Sequence, residues 1–214
     1  MKKDKTAPGS FKKIYRVDLQ VFLMTAIIVV ISCGITFVVS YCLTYNGMIR
    51  ALRSRANSIY EYADGRLDVE TFRGLNSRAD GTSYLYQEAK KTLENVRTAT
   101  GVRYLYTAKE KEDGTFIYLV DGLPVKSKDF RYIGDAIEPE CIPDMKMAME
   151  NQVVLPKKIK HTSWGNVFIA YFPMHDEERV VGVLGIEMCI RDRSVSMIIF
   201  VILIIFFCFF FLFL

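Results

Sequence analysis

The chain is poor in the residues that usually carry catalysis. It has two histidines, His161 and His175, and neither stands at a metal-ligand spacing from another histidine, cysteine or carboxylate. There is no Gly-x-Ser-x-Gly elbow, phosphate loop or dinucleotide fingerprint. The expectation is therefore a chain that is not an enzyme as it stands and needs no cofactor. Cysteine is sparse outside the apolar runs that hold Cys33, Cys42 and Cys208, and no Cys-x-x-Cys occurs. That excludes a disulfide framework and a cysteine-rich zinc site, and Cys141 with Cys189 leaves room for one bond at most. A basic surface is also missing. The formal charge is +4, but residues 1–20 hold six Lys and Arg against Asp4 and Asp18, and the rest of the chain is balanced. A nucleic-acid partner is not expected.

What is present is a long uncharged run. Residues 21–43 carry no charge over 23 positions. At about 1.5 Å per residue such a helix crosses a bilayer core of about 30 Å, and a helix satisfies its own backbone in lipid. The basic tail before it predicts a cytoplasmic N-terminus, with the region after the span outside the cytoplasm. The run is longer than a signal-peptide core and no Ala-x-Ala site follows it. Val30-Ile31-Ser32-Cys33 looks like a lipoprotein box, but the chain stays apolar for ten residues more, which suits a span better. The organisation read from this is a tail (1–20), a span (21–43), an extracytoplasmic domain (44–188) and a second apolar segment (189–214).

Within the domain, Ile49, Leu52, Ala56, Ile59 and Ala63 recur at helical spacing over 46–63. A turn of helix is expected at 68–72 and a loop at 73–81. Ser83 caps a second helix to residue 99, with Gly101 just past its end. The pattern then changes to strands at 102–108 and 116–120, flanking the turn signal Glu112-Asp113-Gly114. A helix is expected at 141–151, with Pro143 in its first turn, followed by strands at 157–161, 167–172 and 180–188. His175-Asp176-Glu177-Glu178 reads as a charged hairpin tip in water rather than a metal site. Five strands joined mostly by hairpins predict an α+β fold, an antiparallel sheet with helices on one face.

The remaining chemistry is aromatic. Tyr104, Tyr106, Tyr118, Trp164 and Tyr171 lie on or beside predicted strands, and Tyr104 and Tyr106 share a face by the period of two. One reading is a core with polar handles. The other is a small-molecule pocket with aromatic walls and a few fixed polar groups. Asp121, at a strand end, is placed to hold an ammonium group, and Arg103, opposite in parity to Tyr104, falls outside that pocket. The apolar stripe of 46–63 predicts a homodimer through that helix.

The element order resembles the extracytoplasmic Cache domains of bacterial receptors, which are PAS-like. The words Arg103-Tyr104-Leu105-Tyr106-Thr107-Ala108, Asp113-Gly114-Thr115-Phe116-Ile117-Tyr118-Leu119-Val120-Asp121-Gly122, Trp164-Gly165 and Val180-Val181-Gly182-Val183-Leu184-Gly185-Ile186-Glu187 resemble the input regions of membrane diguanylate cyclases (GGDEF proteins). The similarity covers residues 20–188. It implies a PAS-like domain with a five-stranded antiparallel sheet and a long N-terminal helix, flanked by transmembrane helices. It also implies a pocket on one sheet face for a small polar ligand, an amino acid or another carboxylate. No full ligand-recognition motif is matched, so the ligand is not carried over. A histidine-kinase or chemoreceptor input region, or an anchored scaffold without a small ligand, are the alternatives.

Residues 197–214 are 18 apolar positions, seven of them phenylalanine, with no Lys or Arg stop after them. Met188-Cys189-Ile190-Arg191-Asp192-Arg193 resembles a translated sequencing-adapter junction. The expectation is a fragment whose genuine second span and cytoplasmic output are lost.

Overall fold

The computed structural model describes residues 9–68, 71–162, 165–176, 179–189 and 202. The expectations for Trp164, for the Glu177-Glu178 tip and for nearly all of 190–214 lie outside them. The chain divides into two compact units, Met1–Asn46 with Asp192–Leu214, and Gly47–Arg191. The first helix, α1 (Gly9–Asp64), contributes to both.

In the first unit, Val21, Leu23, Ile27, Ile28, Ile31 and Ile35 are exposed on α1. Both threonine hydroxyls in this stretch are turned back on the helix: Thr25 donates to the Val21 and Phe22 carbonyls and Thr36 to Ser32. They therefore present no unpaired donor to an apolar surrounding. Among the described residues, the helix from Leu19 to Asp64 is long and apolar enough to cross a membrane.

The second unit is built on an antiparallel sheet. Its strands are β1 (Tyr104–Glu110), β2 (Phe116–Asp121), β3 (Lys160–Thr162), β4 (Gly165–Asp176) and β5 (Arg179–Cys189), in the spatial order β2-β1-β5-β4-β3. Four strands form its body, and β3 is a three-residue edge. The strand expected at 157–161 is found only at Lys160–Thr162, and upstream of Pro156 an isolated bridge joins Val154 to Tyr171. Conversely, β4 and β5 run further than the sequence suggests. His175 and Asp176 are paired strand residues rather than tip residues. His175 bonds Asn151 at 2.7 Å and Asp176 pairs with Arg73.

Helix α2 (Thr71–Gly74) and a 3-10 turn at Arg78–Thr82 occupy the stretch expected to be mainly loop. Helix α3 (Tyr84–Thr100) starts where Ser83 accepts from the Tyr86 N–H at 3.2 Å and stops at Gly101, which is left-handed. Helix α4 (Ile142–Met149) follows Cys141.

Two expectations are corrected. The helices lie on both faces of the sheet. On one face α3 packs on β1 and β2, and Tyr60 of α1 stacks on Phe172 at 4.6 Å and donates to the Pro173 carbonyl. On the other, Met145 and Ala148 of α4 join a core with Ala108, Val167, Tyr171 and Val183. A five-strand sheet with one bare face would leave that second row of apolar residues in water. Second, Ala56, Ile59 and Ala63 are buried within the single chain, so the α1 stripe is not a free face for a dimer.

The segment between β2 and α4 lies along the sheet edge as a strap. Its start is held from α3, where Arg97 donates to the Gly122 carbonyl at 2.9 Å and Lys90 to the Leu123 carbonyl. Its later part is stitched to β2 through Tyr118 N–H to Asp135, Gly134 N–H to Tyr118 and Ile137 N–H to Phe116, all within 3.0 Å.

Candidate functional site: a tyrosine and carboxylate cleft

Strand β1 sends Tyr104 and Tyr106 to the α4 side of the sheet, and β5 sends Gly185 and Glu187, because these residues pair directly across the ladder. Strand β2 would be expected to send Tyr118 and Asp121 to opposite faces, since they are three residues apart. A bulge reverses that. Thr107 pairs with Val120 but Ala108 with Tyr118, so Leu119 is skipped and both side chains reach the same side. The strap adds Asp129, Arg131, Glu138 and Glu140, and Cys141 and Ile169 complete the lining. The volume of this half-open cleft is about 40 Å³, room for a few waters or one compact head group.

The polar groups are joined in pairs. Tyr104 donates to Asp129 at 2.8 Å and Tyr118 to Glu138 at 2.6 Å, while Arg131 clamps the other Glu138 oxygen at 2.7 Å. These three bonds latch the strap over the cleft. Asp121 accepts the backbone N–H groups of Leu123 and Arg131, each at 2.8 Å, and so shapes the strap's first turn. Tyr106 donates to Glu187 at 2.9 Å. Its ring lies over Gly185, where any Cβ would come within 2.6 Å of it.

Burial dominates the electrostatics. It pushes Glu187 up to about 7, with the Tyr106 bond opposing and the Glu138 and Asp121 carboxylates adding to the rise. Burial also raises Asp121 despite its two N–H donors. At Glu138 burial acts upward too, but the bonds from Tyr118 and Arg131 outweigh it and hold the carboxyl below its ordinary value. Burial lifts the Cys141 thiol to about 11, which makes it an inert lining group. Five carboxylates thus face a single guanidinium, and that one is engaged by Glu138. Among the described residues no cluster of three His, Cys, Asp or Glu has metal-binding geometry.

The structure brings Tyr104, Tyr106, Tyr118 and Asp121 together around this cleft. Tyr171 is not in its lining. It is fully buried beneath it, its hydroxyl 3.5 Å from that of Tyr106. Asp121 is already occupied by backbone donors. Arg103 is outside the lining, its guanidinium over the Tyr104 ring and 3.0 Å from the Cys189 sulfur. Cys141 and Cys189 are both free. Sequence reasoning missed Glu187, although a lone acid inside the apolar run 180–188 was a visible signal. It also missed Asp129, Arg131, Glu138 and Glu140, which come from a loop with no periodic pattern.

No protein-family model matches the chain, and no curated protein does. Among solved structures, the chain is similar to the sensory domain of the Campylobacter jejuni chemoreceptor Tlp3, at 12% identity over 72% of this chain and 62% of that one, with a TM-score of 0.38. It is similar to the ligand-binding domain of the same receptor in complex with L-valine, at 10% identity over 72% and 61%, TM-score 0.37. The sensor domain of the V. cholerae histidine kinase DctB is a third, at 13% identity over 68% and 57%, TM-score 0.39. The chain spans about three fifths of the length of these domains. At TM-scores below 0.5 such likenesses fix neither a ligand nor an output.

Proposed function

We propose that residues 44–188 are the extracytoplasmic ligand-sensing input module of a transmembrane signalling receptor. The apolar part of α1 anchors it, with residues 1–20 in the cytoplasm. The module itself catalyses nothing. It controls an output, a diguanylate cyclase on the resemblance of its strand words to such input regions, with a histidine kinase or chemoreceptor as the alternative. The observation that carries the reading is the cleft: three tyrosines from two strands, a buried carboxylate, and a latched strap on one sheet face. Aromatic walls with few, fixed polar groups combine burial with orientation. The surplus of carboxylates narrows the ligand to a small molecule with an ammonium group, an amino acid or an amine, since a purely anionic ligand would meet like charge.

The test is a thermal-shift screen of the full chain in detergent against amino acids, amines and organic acids. A ligand at a hundred times its dissociation constant adds about 2.7 kcal/mol of stability. Amino acids or amines should stabilise, organic acids lacking an ammonium group should not, and Tyr104→Ala should remove most of the gain from a chain that still folds. A screen that shifts nothing would replace the sensor with a scaffold.

Orientation has its own test. In a chain whose exposed Cys42 and Cys189 are replaced by serine, a cysteine at Lys126, an exposed strap residue, should react with a membrane-impermeant reagent applied outside. One at Ser10 should be spared, and the reverse pattern would invert the topology.

A further inference from the structure

Glu187 lies inside the cleft with only one side-chain hydrogen bond among the described residues, from Tyr106. It is 9% exposed, and among the described residues no cation forms an ion pair with it. The charged groups that face it are committed elsewhere or repel it, apart from Arg103, whose attraction is outweighed by burial. From the strap, Arg131 is bound to Glu138, Asp129 accepts from Tyr104, and Glu140 adds another negative charge to the lining. From β2, Asp121 takes two backbone donors and Tyr118 turns to Glu138. From β1, the Arg103 backbone N–H donates to the Glu187 carbonyl, while its guanidinium goes to Cys189 and over the Tyr104 ring. From β4 and α4 come Tyr171, bonded to Tyr106, and the neutral Cys141.

A carboxylate with one donor in such a place is strongly disfavoured as an anion. It has two ways out, a proton or a cation supplied from the cleft. We propose that Glu187 exchanges one for the other: the empty cleft holds it as a carboxylic acid, and an arriving ammonium group converts it to a carboxylate paired with that ammonium. The O–H bond of Glu187 breaks, its proton passes to solvent, and a charge-assisted N–H to O bond forms in its place. No oxidant or other reactant enters. The rise of Glu187 to about 7 agrees with this, placing the exchange near neutral pH. The module would then read proton and ligand concentration together, with acid acting as a competitor. The inference rests on the reading of the cleft as a small-ligand site.

Two measurements on the full chain in detergent test it. Infrared difference spectra of the ligand-free chain should show a carboxylic-acid C=O band at pH 6 that fades with a midpoint near 7 and is missing in Glu187→Gln. No such band above about pH 5 overturns the proposal. Methylammonium chloride then serves as the probe in calorimetric titrations. Its dissociation constant should rise about tenfold as pH falls from 6 to 5 and level off above pH 8, with proton release that scales with the buffer's ionisation enthalpy. In Glu187→Gln, which keeps the shape and an acceptor for Tyr106, binding should be weaker and flat with pH. Binding in wild type that is flat with pH, or no binding while the acid band is present, overturns the exchange. The sensor reading falls only when the broad ligand screen also shifts nothing.

Discussion

Between pH 5 and pH 8 the ligand-free chain should lose about 2 to 3 kcal/mol of stability that the Glu187→Gln variant keeps. The folded carboxyl stands at about 7 against an ordinary 4.5. Its folded value is raised, so the native state binds the proton more tightly than the unfolded chain does. The stabilisation it gives is complete below about pH 4.5 and is lost as pH rises through about 7. The distance between those two values sets the magnitude, and the burial of the side chain leaves little screening to reduce it. The opposite slope belongs to Glu138, whose lowered value favours the fold above its unfolded value and is lost in acid. Urea unfolding followed by circular dichroism at each pH separates the two. Parallel curves for wild type and Glu187→Gln would show that Glu187 is an anion throughout and has found a partner.

Gly122→Ala should cost about 2 to 3 kcal/mol, at the upper end for an overpacked site. Its Cβ would lie 2.8 Å from the Leu105 carbonyl oxygen and 3.1 Å from that of Leu93. Both are backbone atoms of packed elements, β1 and α3, and neither can swing aside as a side-chain tip would. The strap begins here, between Asp121 and Leu123, and the Gly122 N–H bonds the same Leu105 oxygen at 2.8 Å. Pushing this residue outward therefore strains that bond and the two N–H groups that Asp121 accepts. A thermal melt should fall by several degrees. Gly74→Ala is the matched control, since nothing lies within 4 Å of its added carbon. Its effect should stay within about 0.5 kcal/mol. Equal melting temperatures for Gly122→Ala and wild type would mean that the strap's root is looser than its bonds imply.

Local signals were readable where a rule acts within a few residues. Ser83 and Gly101 mark the ends of α3 because a cap and a left-handed stop are properties of single positions. The turn at Glu112-Asp113-Gly114 was visible for the same reason, and Gly114 has the positive φ that such a turn needs. Tyr104 and Tyr106 sharing a face follows from strand period alone. The site was less legible. The common face of Tyr118 and Asp121 depends on a bulge that only the pairing with β1 creates. The carboxylates of the strap sit in an aperiodic stretch, so their convergence is a product of tertiary contacts. The α1 stripe has the same spacing whether it meets a twin helix or its own sheet, and here Ala56, Ile59 and Ala63 are buried within the single chain. Helices on both faces could not be inferred from element order, because α4 is short and reaches its face through the strap.

The stitching of the strap to β2 bears on which side of the cleft is the more open. Residues 134–137 act in effect as one more rung on the outer margin of the sheet, bridging Ile117 to Ala136. Peeling that stretch away would strip partners from a row of backbone donors and acceptors and bare a strand margin to other chains, an invitation to aggregation. The front stretch, 124–131, is different. Lys90 and Arg97 hold its root, but Pro124, Val125 and Lys126 stand in solvent. The Tyr104–Asp129 bond secures its far end. That side of the strap is therefore the more open one, with its tip in water and its end held by Asp129 on Tyr104 and by Arg131 on Asp121 and Glu138, while the other half forms its frame.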